Sequence, residues 1–185
     1  MVDKEIIRAL GKDHRRWVLI GGPPCQAYSL VGRSRMRGTT KAEVREFESD
    51  QRHYLYRHYL RILAVHQPMV FVMENVKGLL SARVRDQRLV DNILRDLRSP
   101  EIPHGVKNIP PVRYRLYSLV TSVDPEGEEL RPEDFVVRAE QYGIPQARHR
   151  IIFLGIRSDL PVTPKMLLPA GGALTVKQVI SDLPP

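Results

Sequence analysis

The sequence predicts an α/β fold built on a doubly wound sheet. Three short apolar runs that favour β-structure, at residues 17–20, 69–73 and 151–156, alternate with segments whose apolar side chains recur at helical spacing. Polar and charged side chains gather where these runs begin or end. Such sheets place their ligands at the carboxyl ends of the strands, so these polar clusters are the first candidates for a functional site.

Length, charge and cysteine content narrow the class of protein. The 185 residues suit one domain, and the net charge of +8 favours a polyanionic partner. No apolar run approaches the roughly 18 residues of a membrane span, and the start of the chain does not look like a secretory signal. The single cysteine excludes an internal disulfide, and no cluster of metal-ligand type is seen. We therefore expect an intracellular, cytoplasmic protein without membrane association or a metal centre.

The elements of the first half follow from local pattern. Residues 3–11 predict a short amphipathic helix that ends on a glycine, and residues 17–20 predict a strand buried on both faces before a Gly-Gly-Pro-Pro turn. Residues 32–41 carry four basic side chains without apolar periodicity, which predicts a long, mobile loop able to close over a ligand. Residues 50–66 predict a helix that ends before Pro68.

The second half continues the alternation. Residues 69–73 predict a second buried strand that ends at Glu74 and Asn75, and residues 87–97 predict an amphipathic helix. Residues 114–120 and 134–139 predict strands around an acidic turn at 124–129, and residues 151–156 predict the last strand. We expect one domain over residues 1–160, followed by a Pro/Gly-rich linker and a terminal segment over residues 161–185.

Cys25 is the candidate nucleophile. A lone cysteine is usually a buried, inert side chain. Cys25, however, follows the Gly-Gly-Pro-Pro turn in a loop, and the many arginines around it would stabilise a thiolate. Its residue type and position leave both interpretations open.

Glu74 and the arginines before the last strand are candidates for ligand contacts. Burial of Glu74 after five apolar residues would let it hold a proton near neutral pH, although a solvated carboxylate at a strand end is the alternative. Arg148 and Arg150 would point the same way in an extended chain, and guanidinium groups suit phosphate geometry. A routine pair of surface arginines is the alternative.

Three motifs, taken together, resemble those of the cytosine-5 DNA methyltransferases. Residues 21–26, Gly-Gly-Pro-Pro-Cys-Gln, resemble the nucleophile motif, and residues 71–79, Phe-Val-Met-Glu-Asn-Val-Lys-Gly-Leu, resemble the second catalytic motif. Residues 142–157, Tyr-Gly-Ile-Pro-Gln-Ala-Arg-His-Arg-Ile-Ile-Phe-Leu-Gly-Ile-Arg, resemble the arginine motif. The motifs occur in the family's order, and residues 174–185 resemble the segment before its target-recognition region. The resemblance covers almost the whole chain.

The resemblance implies a Rossmann-like, S-adenosylmethionine-dependent methyltransferase sheet and a reaction. A methyl group would pass to carbon 5 of a cytosine flipped out of double-stranded DNA. Cys25 matches the residue that adds covalently to carbon 6, which turns carbon 5 into an enamine carbon that can attack. Glu74 matches the carboxyl that contacts ring nitrogen 3 and the exocyclic amine. Arg150 matches the arginine at oxygen 2, with Asn75 and Arg148 as supporting catalytic residues.

The resemblance also implies binding residues and a setting. It assigns S-adenosylmethionine contacts to Pro24 and Leu55. It also implies that the protein acts in a prokaryotic cytoplasm. Nucleic-acid contacts would come from Gln26, Ser29, Arg33, Arg35, Gln146, Arg148 and Arg150.

The sequence departs from the family in two places. The glycine-rich cofactor turn, the carboxylate that binds the ribose, and the target-recognition region have no counterpart in these 185 residues. We therefore expect an incomplete sheet with an exposed apolar edge, and a catalytic segment that is inactive alone and needs a complementing chain. A transfer-RNA methyltransferase, a non-catalytic nucleic-acid-binding remnant and one subunit of a split enzyme are the alternatives.

Overall fold

A five-stranded sheet is the main feature of the structure, a computed structural model. It describes residues 2–11, 16–23, 56–84, 87–122, 130–172 and 174–183. The predicted basic loop at 32–41 and acidic turn at 124–129 lie outside these ranges, as do the sites predicted between residues 24 and 55. None of the helices in the described ranges has the length and apolar character of a membrane span.

The helices and strands confirm the α/β class and most of the predicted elements. The helices are α1 (Val2–Leu10), α2 (Tyr56–His66), α3 (Leu89–Arg98) and the single-turn α4 (Val176–Val179). The strands are β1 (Val18–Gly21), β2 (Val70–Val76), β3 (Arg83–Val84), β4 (Gln87–Arg88), β5 (Tyr114–Tyr117), β6 (Val136–Arg138) and β7 (His149–Arg157). Short 3-10 helices cover Lys77–Ser81, Pro132–Phe135 and Ala139–Tyr142.

Strand direction decides which residues share an edge of the sheet. The strand order is β1-β2-β7-β5, with β6 also paired to β7, while β3 and β4 form a separate hairpin. β1 runs parallel to β2, but β7 runs antiparallel to β2, β5 and β6. The start of β7 therefore lies beside the carboxyl ends of β1 and β2. We call this edge, formed by Gly21, Val76 and His149, the upper rim, and the opposite edge the lower rim.

The core lies on one face of the sheet. Alternate residues of β2, among them Phe71 and Met73, are fully buried and cluster with side chains of α2 and α3. Phe71 also packs edge-on against the ring of Tyr114, with centroids 5.1 Å apart. Gly155 lies directly opposite Phe71 in the β2–β7 pairing, and its missing side chain leaves the space that this ring occupies.

The expectation that β1 is buried on both faces is wrong. Val18 and Ile20 are 52% and 74% exposed, because β1 is the end strand of the sheet and no helix in the described ranges covers this side of it. The exposed side chains of Val18 and Ile20 lie on one face of β1, and the incomplete sheet stays a prediction.

Two strands extend further toward the upper rim than local pattern predicts. β2 continues through Val76 and β7 begins at His149, because main-chain pairing between them runs on to the Val76–Arg150 pair. Glu74 and Arg150 thus lie inside strands. β5 is shorter than predicted, because the Ser118 hydroxyl accepts hydrogen bonds from the amides two and three residues further on and turns the chain.

The linker after β7 returns to the upper rim without forming regular structure. The amide of Leu167 donates to the Leu119 carbonyl (2.8 Å), and the amide of Ala170 donates to the Gln141 carbonyl (3.0 Å). The predicted linker at 161–172 therefore runs back across the sheet from the lower rim, where β7 ends.

Candidate active site

Glu74 and Arg150 form an ion pair at the upper rim. Their positions on neighbouring strands place both side chains on the same face of the sheet, opposite the core. Nε of Arg150 lies 2.7 Å from Oε1 of Glu74. Its N–H is not aligned with that oxygen, so this buried nitrogen has no hydrogen-bond partner among the described residues. An unsatisfied buried donor is uncommon and is found at functional sites.

The expected burial of Glu74 is wrong. Its side chain is 43% exposed and the Arg150 side chain 27%, because the extra length of β2 carries Glu74 to the open end of the sheet. A guanidinium group rather than an apolar pocket is the neighbour of this carboxylate.

The segment after β1 passes directly against Glu74. A Cβ atom on Gly22 would lie 3.0 Å from Oε2 of Glu74 and 3.4 Å from its carbonyl oxygen. The two carboxylate oxygens therefore have different neighbours: Arg150 at Oε1 and the Gly22 backbone at Oε2. Cys25 follows Gly22 by three residues in the sequence and lies outside the described residues.

Tyr59 of α2 fixes the end of β1 against β2, and sequence pattern alone identifies it only as a core position. Its hydroxyl is 3.0 Å from the Val72 carbonyl oxygen and 3.3 Å from that of Leu19, which links the two strands. Its ring lies against Gly21, where a Cβ atom would be 3.1 Å from Cε2. The two glycines thus allow close approach at the upper rim, a role beyond the turn that the sequence indicates.

Asn75 lies on the opposite face from Glu74 and is 2% exposed. Its Oδ1 accepts a hydrogen bond from the Val76 amide (2.8 Å). In this position Asn75 shapes the backbone where β2 ends and does not join the Glu74–Arg150 pair.

The segment before β7 is a folded loop that carries the start of the arginine motif. The Ala139 amide donates to the Arg148 carbonyl (3.0 Å), and Gly143 has the left-handed φ of +77° that glycine adopts readily. Gln146 and Arg148 are exposed, and Arg148 makes no ion pair with Glu74. The structure therefore brings Arg150, but not Arg148, to the carboxylate.

A second charged pair fixes the base of this loop. Nε2 of His149 lies 2.7 Å from Oε1 of Glu140. A main-chain hydrogen bond and the His149 contact lower the pKa of the Glu140 carboxyl. The sequence pattern indicates neither residue, because nothing in it relates positions nine residues apart across a loop.

The remaining predicted site residues lie outside the described part of the chain. They are Pro24, Cys25, Gln26, Ser29, Arg33, Arg35 and Leu55. Among the residues that are described, no group of three or more potential metal ligands occurs. The site seen here combines an exposed carboxylate and a guanidinium with a glycine segment that leads to Cys25, and it offers both acceptors and donors to a planar polar ligand.

Comparison with known proteins identifies relatives over most of the chain. Residues 4–101 and 132–184 match the family described as C-5 cytosine-specific DNA methylase. The chain is 32% identical over 171 residues to the type II methyltransferase M.Bpa9945I of Bacillus paralicheniformis, with 90% of this chain and 32% of the relative covered. It is 33% identical over 147 residues to the DNA (cytosine-5-)-methyltransferase M.ApeKI of Aeropyrum pernix, which covers 77% of this chain and 27% of the relative.

A solved structure supports the fold. A crystal structure described as a DNA modification methyltransferase encoded within an E. coli prophage superposes with a TM-score of 0.53. The two sequences are 24% identical, and the match covers 98% of this chain and 39% of the other. The chain spans about a third of the length of the curated relatives it matches.

Proposed function

Since the chain belongs to the C-5 cytosine-specific DNA methylase family, we propose that it carries the catalytic part of an enzyme that methylates carbon 5 of cytosine in DNA. The observation that carries this proposal is the Glu74–Arg150 pair, which lies beside the segment leading to Cys25. The catalytic residues we propose are Cys25, Glu74 and Arg150. The family uses S-adenosylmethionine as its methyl donor, and we propose the same cofactor here.

The proposed chemistry begins at Cys25. Its thiolate adds to carbon 6 of the base, which makes carbon 5 nucleophilic enough to attack an electrophilic methyl group. S-adenosylmethionine supplies that methyl group on a sulfonium when it is bound. After transfer, carbon 5 loses its proton to a proton acceptor. The bond between carbon 6 and the sulfur of Cys25 then breaks, and the Cys25 thiolate is free again.

Glu74 is proposed to bind the base through its Oε2 atom. Arg150 is beside Oε1, so Oε2 is the oxygen that faces the segment before Cys25. A carboxyl there, in contact with ring nitrogen 3 and the exocyclic amine, favours the flow of electrons into the ring as the thiolate adds. Arg150, already held in place by its Nη1 bond to the His149 carbonyl (2.8 Å), is proposed to contact oxygen 2 of the same base.

The position of the upper rim in the sheet suits a cofactor of this kind. The carboxyl ends of the parallel strands β1 and β2 meet there, which is where sheets of this kind bind nucleotide-like ligands. The two contacts that the resemblance assigns, Pro24 and Leu55, remain proposals.

Replacing Glu74 by glutamine is expected to lower kcat about a hundredfold or more, with little change in the Kd for DNA. The amide keeps the size of the side chain but cannot supply a carboxyl to the ring. The rate is measured as the transfer of labelled methyl groups to DNA. For this assay the chain is combined with a complementing chain that corresponds to the remaining part of the relatives.

Asp159→Asn is the matched control for Glu74→Gln. Asp159 is 2.7 Å from Nε of Arg157 at the lower rim, so this change breaks an ion pair of the same length at the other end of β7. We expect it to leave methyl transfer unchanged. Equal rates for the two variants would remove Glu74 from the mechanism.

We further propose that these 185 residues alone bind S-adenosylmethionine weakly and turn over little or not at all. The sequence contains no counterpart of the family's glycine-rich cofactor turn, and it spans about a third of the relatives. A complementing chain, or further residues of a longer protein, would then be needed for activity. Calorimetric titration of the chain with S-adenosylmethionine is the test, and low-micromolar binding would contradict this expectation.

DNA is the proposed substrate because the relatives are named as DNA methyltransferases or type II methyltransferases. Offering DNA and transfer RNA to the same labelled reaction separates this proposal from the transfer-RNA alternative. The relatives with named sources are prokaryotic, which supports a prokaryotic cytoplasm as the proposed setting.

A further inference from the structure

Two cationic residues flank the start of β7, and neither has an assigned role. Arg150 pairs in register with the last residue of β2 on one side and with the second residue of β6 on the other. One step further out along the same edge, Lys77 follows β2 and Arg138 ends β6, directly opposite His149. Lys77 and Arg138 therefore lie on the two sides of β7 at the upper rim, one step beyond the Glu74–Arg150 pair. Because Arg138 pairs with His149, its side chain begins on the opposite face of the sheet from Arg150.

These two cations and Arg148 differ from seven of the fifteen described arginines in forming no ion pair with a carboxylate. Lys77, Arg138 and Arg148 are exposed, and none has a carboxylate within ion-pair distance among the described residues. The carboxylate of the loop, Glu140, is bound by His149 at 2.7 Å, and the charge of Arg138 adds only the smallest of the effects that lower the pKa of Glu140. By contrast, carboxylates pair with Arg8, Arg61, Arg88, Arg95, Arg131, Arg150 and Arg157.

We propose that Lys77 and Arg138, together with Arg148, form a phosphate-binding rim that holds the nucleic-acid backbone on both sides of the Glu74–Arg150 pair. The inference rests on the proposed function and adds two binding residues to it. One strand separates Lys77 from Arg138, which places their backbones about 10 Å apart. Their long side chains therefore suit phosphates of a nucleic-acid strand that crosses the end of the sheet at the upper rim, with its base turned toward the carboxylate.

An extended polyanion fits this surface better than a small anion does. The three cations are exposed and come from three separate segments of the chain, whereas small-molecule sites are concave and enclose their ligand. Unpaired cations on an open surface bind phosphates by releasing counterions, and such contacts position the backbone without reading the sequence. The net charge of +8 agrees with this partner.

The salt dependence of DNA binding tests the inference. Kd for a labelled DNA duplex is measured by fluorescence anisotropy between about 50 and 200 mM salt, for the 185-residue chain and for Lys77→Gln and Arg138→Gln. Each substitution is expected to reduce the slope of log K against log salt by about 0.9, and to weaken binding equally for unrelated duplex sequences.

Arg113→Gln is the matched control. Arg113 is also exposed and without an acidic partner in the described ranges, but it precedes β5 at the lower rim. We expect the slope of log K against log salt for Arg113→Gln to equal that for the unchanged chain. The inference would be overturned if the slopes for Lys77→Gln and Arg138→Gln matched the slope for the unchanged chain or for Arg113→Gln. It would also be overturned if the unchanged chain showed no salt-dependent binding.

Failure of the proposed function would look different. In that case Lys77→Gln and Arg138→Gln would still change the slope of log K against log salt. The unchanged chain, combined with its complementing chain, would show neither methyl transfer nor covalent attachment to DNA.

Discussion

Replacing Cys25 by alanine is expected to abolish methyl transfer and to leave DNA binding nearly unchanged. Without a thiolate that adds to carbon 6, carbon 5 of cytosine stays too weak a nucleophile to accept the methyl group. We expect a loss of at least about a thousandfold in kcat, or about 4 kcal/mol of transition-state stabilisation. Transfer of label to DNA in the complemented protein measures the rate, and anisotropy on the same DNA measures binding.

Cys25→Ser makes this test sharper. Serine keeps the size and polarity of the side chain but is far less acidic than the thiol, so it should be as inactive as alanine while disturbing the loop least. Because Cys25 is the single cysteine of these 185 residues, a thiol-dependent adduct on this chain reports on Cys25 alone. Methyl transfer by the alanine variant at the rate of the unchanged protein would contradict a nucleophilic role.

Gly155→Ala is expected to cause the largest loss of stability, about 3 kcal/mol in the free energy of unfolding. A Cβ atom at this position would lie 2.0 Å from Cε1 and 2.3 Å from Cζ of Phe71. That ring is fully buried between Tyr114 and Tyr59, at centroid distances of 5.1 and 6.1 Å, so it has no free space to move into. Urea unfolding of the 185-residue chain gives the free energy.

Gly171→Ala is the control for this substitution. A Cβ atom there would contact nothing within 4 Å, so we expect a change within about 0.5 kcal/mol. Phe71→Leu should recover part of the loss in the Gly155→Ala background, because the smaller side chain removes the clash. Equal stabilities for Gly155→Ala and Gly171→Ala would contradict the close packing of Phe71 against Gly155.

Periodicity predicts the helices and the central strands, but it does not predict where the strands end. The apolar runs before Glu74 and after Arg150 locate β2 and β7. Their polar ends join the sheet because each strand provides main-chain partners for the other, and that is a contact between segments some 75 residues apart. Local propensity contains no information about such a contact.

The candidate site depends on strand direction, which the alternating pattern of elements does not reveal. The alternation of helices and strands favours parallel strands, and Arg150 comes just before the last predicted strand. Only the antiparallel course of β7 brings Arg150 to the same rim as Glu74. The close approaches of Gly22 to Glu74 and of Tyr59 to Gly21 likewise follow from register, so residue type alone identifies neither.

The family motifs supply what local physics leaves open. Residue type and position leave Cys25 between an inert thiol and a nucleophile, and the resemblance selects the second. The burial of Glu74 is an inference from the five apolar residues before it. It is wrong because Glu74 lies near the end of β2, where the sheet is open to solvent. The catalytic role of both residues remains a proposal that chemistry has to test.

Covalent trapping tests the central claim most directly. The chain, with and without a complementing chain and S-adenosylmethionine, is mixed with DNA that contains 5-fluorocytosine, and any adduct is mapped by mass spectrometry. Fluorine at carbon 5 blocks the final elimination, so a methylated base should remain attached to the nucleophile. We predict an adduct on Cys25 that requires the complementing chain. The absence of any adduct under complementation, with salt-sensitive DNA binding retained, would contradict the methyltransferase and favour a nucleic-acid-binding protein without catalytic activity.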